Sequence, residues 1–318
     1  AEFFAALPGA AIEIPTLSVP STWLWMLALV CLVITTGAFR RASVALIAGL
    51  IVAIETWPTT DRKHQVEVTF LAVGQGDATI VSSQNSHALI DGGGVPQGRD
   101  PGRSVILPFL KHKRISHLDL VALTHAHPDH SLGLVSVLEE IPAHRLWIPE
   151  GIERGSLVDD VIDAADGAIV EEHQVGDSPL QLGEAEIQIL GPPADRILLE
   201  GENDRSLVLL IRHRRVTFLM TGDIEEAGEL ALNVGEISVL KAPHHGSTTS
   251  STPRFVKSTS PRHVIFCVGR NNRFGFPKAE VVSRYEAIGA RCYRTDRDGA
   301  ITFRSNGETV EVGTFLQR

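Results

Sequence analysis

Three histidines and one aspartate fall within six residues, in the segment His125-Ala126-His127-Pro128-Asp129-His130. A hydrophobic strand is predicted just before this segment and a helix just after it, which places these side chains on a connecting loop. On a loop, His125 and His127 can point to one position while Asp129 and His130 point to a neighbouring one. Imidazole and carboxylate ligands together favour zinc, manganese or iron over calcium, which takes oxygen ligands. The segment therefore predicts a site for one or two transition-metal ions, the alternative being a histidine-rich surface turn.

Two later strand ends carry side chains of the same chemistry. One hydrophobic strand ends at Thr221-Gly222-Asp223, where the carboxylate can reach sideways to bridge two ions. Another leads through Lys241 into the histidine pair His244 and His245. A lone histidine pair is more often structural than ligating, but three such clusters at three strand ends favour one shared site.

The composition limits how a metal and a substrate are bound. The chain has three cysteines and no CxxC pair, so any metal must be held by histidine and carboxylate. The formal net charge of −9 argues against a protein that coats nucleic acid non-specifically, because such binding neutralises many phosphates. Basic residues instead cluster in short runs that are predicted to be solvated strand ends and turns: residues 111–114, residues 212–215, and Arg270 with Arg273.

The N-terminal part of the sequence is far more apolar than the rest. No residue from 20 to 39 is charged, and that stretch corresponds to about 30 Å of helix, enough to cross a bilayer. A second apolar stretch, residues 42–54, is followed by Trp57, a residue type typical of the membrane interface. We therefore expect residues 1–58 to form a membrane-spanning helical hairpin, the end of a larger membrane region, with bilayer contact through residues 20–57.

The charges around these stretches predict an orientation. Arg40 and Arg41 lie between the two stretches, so the positive-inside rule places them in the cytoplasm and everything after Trp57 outside. A signal peptide with a buried helix is one alternative, and an amphipathic segment on the surface is another. The signal peptide is disfavoured because acidic residues, Glu2 and Glu13, precede the apolar run instead of basic ones.

After the apolar stretches, the sequence changes to short strands rich in valine, isoleucine and leucine, separated by glycine turns. Residues 66–73, 78–81 and 88–90 are predicted to form an antiparallel meander, after which strands and helices alternate. A second cycle of strands and then helices starts near residue 187. Two such half-chains suit an α/β sandwich of two sheets flanked by helices, which we place at residues 64–318.

The HxHxDH segment, the Gly-Asp strand end and the later histidine pair together resemble the metallo-β-lactamase superfamily. More narrowly, several motifs resemble the ComEC competence-protein family: VGQGDA at 73–78, IDGG at 90–93, TGD at 221–223, HHGS at 244–247, and YRTD with DG within 293–299. The resemblance covers residues 66–313 and implies the metallo-β-lactamase αββα sandwich, preceded by the N-terminal hydrophobic helical hairpin. Members of that family carry this domain behind a bundle of membrane helices and take up DNA across the inner membrane.

The resemblance also implies a ligand set. The ligands are divided between two ions: His125 and His127 for the first, Asp129 and His130 for the second, and Asp223 bridging both. His244 is the predicted remaining ligand because it ends the strand, with His245 in reserve. The superfamily usually supplies another histidine before the Gly-Asp strand, where this chain has Asn203 and Asp204. Two outcomes are open: one of these two side chains replaces it with an oxygen ligand, or the first site binds its metal weakly.

The chemistry of metal-assisted hydrolysis suggests catalytic roles for three of these residues. Asp129 is expected to orient the attacking water, while His244 or His245 stabilises the oxyanion or protonates the leaving group. The ComEC family tends to show a His-Pro pair where this chain has Phe276-Pro277. Because phenylalanine neither ligates metals nor transfers protons, that position is expected to contribute no chemistry of this kind.

The predicted function is a ComEC-type hydrolase, a phosphodiesterase or nuclease that uses one or two Zn²⁺ or Mn²⁺ ions. Its expected substrate is DNA, single-stranded or duplex, during uptake, and its expected partners are other competence DNA-uptake proteins. The expected location is the bacterial inner membrane, with the hydrolase domain on the outer side, periplasmic or extracellular. One alternative is a non-catalytic module that binds DNA or braces a channel. Another is a metallo-hydrolase of small esters or lactams, which the basic clusters make less attractive than a polyanion substrate.

Overall fold

The computed structural model describes residues 19–56, 65–195, 199 and 201–316. The contacts within the chain divide it into two compact units, Ala1–Lys63 and His64–Arg318. The two units are considered separately below.

The described part of the first unit is a pair of helices, α1 (Val19–Ile34) and α2 (Gly37–Thr56), which pack against each other. The predicted continuous helix over residues 20–39 is wrong because the chain leaves the helix at Thr35 and Thr36. The Thr35 hydroxyl donates to the Cys31 carbonyl at 2.5 Å, and Gly37 adopts a left-handed conformation with φ of 62°. Within the described residues, no helix combines the length and the apolar character needed to cross a bilayer. The expected interface residue Trp57 lies outside the described residues.

Two sheets form the centre of the second unit. The strands in its described residues are, in chain order, β1 (Val66–Phe70), β2 (Thr79–Ser83), β3 (Ser86–Ile90), β4 (Leu120–Ala122), β5 (Arg145–Pro149), β6 (Ile169–His173), β7 (Leu180–Leu182), β8 (Ala185–Gly191), β9 (Val208–His213), β10 (Val216–Met220), β11 (Val239–Lys241), β12 (His263–Phe266), β13 (Arg291–Arg294), β14 (Ile301–Ser305) and β15 (Val310–Thr314). The strand order is β15-β14-β1-β2-β3-β4-β5-β6 in the first sheet and β13-β12-β11-β10-β9-β8-β7 in the second.

Helices connect the strands and cover the sheets. They are α3 (Leu107–Lys113, directly after a π-helical turn at Gly102–Ile106), α4 (Pro128–Glu140), α5 (Ser156–Ala164), α6 (Glu226–Ala231), α7 (Pro253–Thr259), α8 (Ala279–Ala287) and α9 (Thr295–Asp298). Two 3₁₀ turns, Asn203–Arg205 and Pro243–Gly246, lie close to the strand ends discussed below.

Each sheet is antiparallel on one side and parallel on the other. Strands β14, β1, β2 and β3 pair antiparallel, and β3, β4, β5 and β6 pair parallel. The second sheet repeats this plan, because β7 to β10 pair antiparallel and β10 to β13 pair parallel. Parallel neighbours require crossover connections, and helices α3 to α8 provide one for each parallel pair.

Three apolar layers hold the unit together. The layer between the sheets contains Phe70, Phe218 and Phe303, with the Phe303 ring centroid 6.0 Å from that of Phe70 and 6.4 Å from that of Phe218. A second layer packs α3, α4 and α5 on the first sheet, and a third packs α7 and α8 on the second. Helix, sheet, sheet and helix therefore follow one another, as the sequence predicts.

Candidate metal centre

Four side chains converge where strand ends of the two sheets meet: Asp129, His130, Asp223 and His245. Each offers one ligand atom, and these atoms all lie within 4.8 Å of one another. Asp223 Oδ2 lies 3.3 Å from His130 Nε2 and 3.2 Å from His245 Nε2, which in turn lies 3.4 Å from Asp129 Oδ2. We call this group the four-ligand cluster.

Different elements deliver the four side chains. Asp129 and His130 lie in the first turn of α4, which begins at Pro128, so they are fixed by the helix as well as by the loop before it. Asp223 follows β10, where its backbone NH donates to the Ser206 hydroxyl at 3.2 Å. Because these positions follow β4, β10 and β11, residues far apart in sequence meet at the carboxyl ends of parallel strands, where ligand sites of α/β sheets usually lie.

The turn after β11 decides which histidine enters the cluster. His244 and His245 both have left-handed backbones, with φ of 45° and 54°, an unfavourable conformation for non-glycine residues that is typical of functional sites. As a result His245 points into the cluster, whereas His244 Nδ1 lies 2.9 Å from Glu225 Oε1 at the partly exposed rim. The prediction of His244 as the ligand is therefore corrected to His245, the reserve choice.

Asp91 orients His130. Its carboxylate accepts hydrogen bonds from the backbone NH and the hydroxyl of Thr124, both at 2.8 Å, and lies 2.8 Å from His130 Nδ1. A carboxylate on one imidazole nitrogen fixes the tautomer and directs the other nitrogen to a metal. Through these contacts Asp91 also holds in place the loop that carries the histidines.

A buried lysine, whose role the sequence does not reveal, completes the surroundings of the cluster. Lys241, 2% exposed, has its ammonium 2.5 Å from Asp77 Oδ2 and 3.0 Å from Asp223 Oδ1, and it donates to the Gly222 carbonyl at 2.7 Å. Burial opposes the charge, but the two carboxylates outweigh it and raise the pKa of Lys241 above its usual value. The signal in the sequence was a lysine at the end of an apolar strand, three residues before His244.

A close backbone contact requires glycine at position 76. Gly76 has φ of 121°, and a Cβ there would lie 2.1 Å from the Asp129 carbonyl oxygen. The neighbouring Asp77 NH donates to that same carbonyl at 3.0 Å. The VGQGDA turn thus holds the start of α4 against the site.

The four-ligand cluster fits a divalent cation. His130 Nε2 and both ring nitrogens of His245 are buried and, within the described residues, have no hydrogen-bond partner, which is rare for buried polar atoms. Burial disfavours a charged imidazole, yet Asp223 and Asp91 raise the pKa of His130 to about 10, and Asp223 and Asp77 raise that of His245 well above its usual value. Two carboxylates and two imidazoles suit zinc or manganese.

The predicted first-metal ligands form an incomplete set. His125 Nε2 lies 3.1 Å from His127 Nδ1, and we call these two residues the histidine pair. Burial, followed by the charge of His130, lowers the pKa of His125 well below its usual value, so its imidazole is neutral. Among the described residues, neither histidine belongs to a group of three converging His, Cys, Asp or Glu ligand atoms. His127 Nε2 instead lies 3.3 Å from Glu202 Oε2.

The predicted replacement ligand Asp204 points away from the histidine pair. Its Oδ1 accepts from the backbone NH groups of Glu225 and Gly228 at 2.7 and 2.8 Å, at the start of α6. Asp204 is therefore a helix cap and not a metal ligand. The other candidate, Asn203, has a buried Oδ1 without a hydrogen-bond partner within the described residues.

Comparison with known proteins agrees with this geometry. A family model described as the metallo-beta-lactamase superfamily matches residues 71–270, a range that includes the whole four-ligand cluster. The chain belongs to the metallo-β-lactamase superfamily. Members of this superfamily are generally hydrolases, and the fold implies divalent metal ions. The predicted fold class is confirmed.

The proteins to which this chain is similar in sequence include competence proteins. The chain is 33% identical over 268 residues to ComE operon protein 3 of Bacillus subtilis (strain 168), covering 78% of the chain and 34% of that protein. It is 27% identical over 270 residues to competence protein ComA of Neisseria gonorrhoeae, covering 83% and 35%. The chain thus spans about a third of the length of these relatives. The predicted resemblance to the competence family is confirmed.

Among solved structures, the metallo-β-lactamase-fold unit is similar to CmlA, a diiron beta-hydroxylase from Streptomyces venezuelae. The TM-score is 0.51 at 15% sequence identity, over 85% of this chain and 60% of that one. At this identity the likeness shows the fold alone.

Proposed function

We propose that this chain is a metal-dependent phosphodiesterase that cleaves DNA, acting as a nuclease during DNA uptake. The observation that carries the proposal is the four-ligand cluster, in which His130 Nε2 and both ring nitrogens of His245 are buried, face two carboxylates and have no hydrogen-bond partner among the described residues. The competence proteins among its relatives support DNA as the substrate.

The four-ligand cluster is accessible to a substrate on one side, at Asp129, and this arrangement suits hydrolysis. A bound divalent ion lowers the pKa of a water ligand to about 7 and stabilises charge on a phosphoryl oxygen. Asp129 is the most accessible member of the cluster, with a side chain that is 24% exposed. Asp129 lines a cleft of about 440 Å³, and in this proposal its carboxylate orients a water next to a phosphate in that cleft. Lys241 holds Asp223 from the opposite, buried side.

The two histidines of the turn take different roles in this proposal. His245 is fully buried among carboxylates and serves as a ligand. His244 is held by Glu225 at the partly exposed rim, where an imidazole can exchange protons with solvent, and it protonates the leaving group.

The two ligand sets differ in completeness, which supports different metal affinities at the two positions. We propose that the four-ligand cluster binds one Zn²⁺ or Mn²⁺ ion tightly, and that the histidine pair binds a second ion only weakly. The asymmetry follows from the loss of the third histidine and from the use of Asp204 as a helix cap.

The cellular setting is a proposal of the same kind. We place the protein at the bacterial inner membrane, with the hydrolase unit on its outer side and other competence DNA-uptake proteins as partners. Support comes from the names of the relatives and from the large apolar side chains exposed on the helical pair, such as Trp23 at 68%.

The test is cleavage of a labelled DNA strand by the full 318-residue chain with added Mn²⁺ or Zn²⁺, compared with the Asp129→Ala variant. Cleavage by the wild type should require the metal and fall by at least about 100-fold in the variant. Asp159→Ala is the matched control, because Asp159 is an exposed aspartate in the first turn of α5. Cleavage by Asp129→Ala at the wild-type rate, or no metal-dependent cleavage by the wild type, would reject the proposed function.

A further inference from the structure

The cleft beside Asp129 has one basic and aromatic wall, formed by the segment between β12 and α8. Arg270, Arg273 and Phe274 line it, opposite the turn at Gly94. Because Asp129 also borders the cleft, any ligand that fills it reaches the four-ligand cluster.

This wall is held in shape before any ligand arrives. The Asn272 side chain donates to the carbonyls of Gly269 and Phe276 at 3.1 and 2.8 Å, and its Oδ1 accepts from the Phe276 NH at 2.9 Å. The Lys278 ammonium donates to the Phe274 carbonyl at 2.7 Å. The segment is therefore pre-organised, which lowers the entropy cost of binding.

Aromatic and cationic groups are stacked on this wall. The rings of Phe274 and Phe276 lie nearly parallel, with their centroids 5.5 Å apart and an interplanar angle of 14°. The Phe276 and His244 rings form a T-shaped pair with their centroids 5.7 Å apart. The Arg273 guanidinium lies 4.8 Å from the centroid of Phe274, whose side chain is 44% exposed. We call Arg273 and Phe274 the platform.

The platform and its neighbour carry positive charge available to a ligand. Within the described residues, no carboxylate lies within 4.0 Å of the guanidinium of Arg273 or of Arg270, whereas other exposed arginines, such as Arg103 and Arg154, are paired with one. Arg270 Nε donates to the backbone carbonyl of Asp296 at 3.1 Å, which fixes its position without neutralising it.

We propose that the platform binds a single DNA strand, with a base stacked on Arg273 and Phe274 and the adjoining phosphates on the two arginines. The proposal rests on the proposed function, which places the bond to be cleaved beside Asp129. Exposed aromatic rings and guanidinium planes stack on bases of any sequence, and arginine binds phosphate. In a duplex both faces of a base are covered by neighbouring pairs, so a stacking platform selects a strand whose bases are free. Phe276, at the position where the resemblance suggested a histidine, has the structural role of supporting Phe274.

The experiment separates base stacking from phosphate binding and from cleavage. Fluorescence anisotropy is measured with the full chain in EDTA, using a labelled thymidine strand of about 12 nucleotides, the same length of abasic deoxyribose phosphate, and a duplex. The wild type should bind the thymidine strand roughly 5- to 150-fold more tightly than the abasic strand, the range for one stacked base. Binding to the duplex should be weaker than binding to the thymidine strand.

The variants then assign the effect to residues. Phe274→Ala should bring the thymidine strand down to the affinity of the abasic strand, while Phe274→Trp should retain the preference. Arg273→Gln should weaken both strands. Phe315→Ala, which removes another exposed phenylalanine (81% exposed), and Arg215→Gln, on a surface arginine paired with Glu308, are the matched controls and should bind as the wild type does.

Equal binding of the thymidine and abasic strands by the wild type, or an unchanged preference in Phe274→Ala, would overturn the inference. Because no metal is present, these results do not depend on catalysis. If the wild type cleaves DNA with added metal but shows no preference for the thymidine strand, the proposed function holds and the platform is rejected. If the preference is present and lost in Phe274→Ala, but the protein cleaves no DNA, the platform holds and the proposed function is rejected.

Discussion

The four-ligand cluster and the histidine pair both draw on the same six-residue segment, but only the cluster has a complete set of metal ligands. The cluster is completed from the opposite sheet, because Asp223 follows β10 and His245 follows β11. The histidine pair faces the 3₁₀ turn at Asn203–Arg205, whose carboxylate caps α6 instead of reaching the pair. A motif in one loop therefore offers ligands, and the element across from it decides whether a metal position is complete.

The largest effect that separates the two regions is expected from His245→Ala. It removes one of four ligands, so metal affinity should fall by more than the 10- to 100-fold typical of losing a group that only orients a ligand. His244→Ala is the matched comparison and should keep the metal while losing about 100-fold or more in cleavage rate. Elemental analysis and cleavage assays measure the two quantities; a variant lacking His245 that still holds its metal would break the comparison.

Lys241→Met tests the charge balance on the buried side of the cluster. The change leaves Asp77 and Asp223 without their common ammonium partner, and breaking such a buried pair costs about 3–5 kcal/mol. The free energy of unfolding of the metal-free chain, from urea titration, should fall by that amount. Lys257→Met, on an exposed lysine of α7, is the control. Equal stability of the two variants would contradict the structural role of Lys241.

Asp91→Asn tests orientation without removing a ligand. The variant loses the carboxylate on His130 Nδ1, so metal affinity should drop about 10- to 100-fold. Asp119→Asn is the control. It alters a carboxylate outside the site that accepts a hydrogen bond from the backbone NH of His87, and it should leave metal affinity unchanged. Competition with a metal-sensitive dye measures both, and equal affinities for the two variants would mean that Asp91 does not orient the ligand.

The smallest expected effect is a gain of metal binding at the histidine pair. Asn203→His places an imidazole where Asn203 Oδ1 is buried and unpartnered within the described residues, and should move the metal content from one ion per chain towards two. Asn233→His, at an exposed position, should leave it unchanged. If Asn203→His also binds one ion only, the incompleteness of the pair has another cause.

Much of the fold and the site follows from sequence pattern, because strand ends, glycine turns and the spacing of histidines are local features. The choice between His244 and His245 was not predictable, because alternation along a strand says nothing about two left-handed residues that follow it. The capping role of Asp204 depends on NH groups of α6, 21 and 24 residues away in sequence.

Other parts were missed for related reasons. The role of Lys241 was not predicted because it depends on a contact with Asp77, which is distant in sequence. Residues 111–114 were predicted to be a solvated strand end or turn, yet Lys111 to Lys113 form the end of the short helix α3, whose pattern is too brief to recognise. The break after Ile34 likewise comes just before a left-handed glycine, Gly37 with φ of 62°, a local feature that apolar composition hides.

The central claim is that one metal position is complete and the other is not. Titration of Mn²⁺ or Zn²⁺ into the metal-free full chain, followed by calorimetry and elemental analysis, tests it most directly. We predict one tightly bound ion per chain, lost in His245→Ala and retained in His127→Ala. Two ions bound with equal affinity, or an ion that depends on His127 and not on His245, would contradict the account.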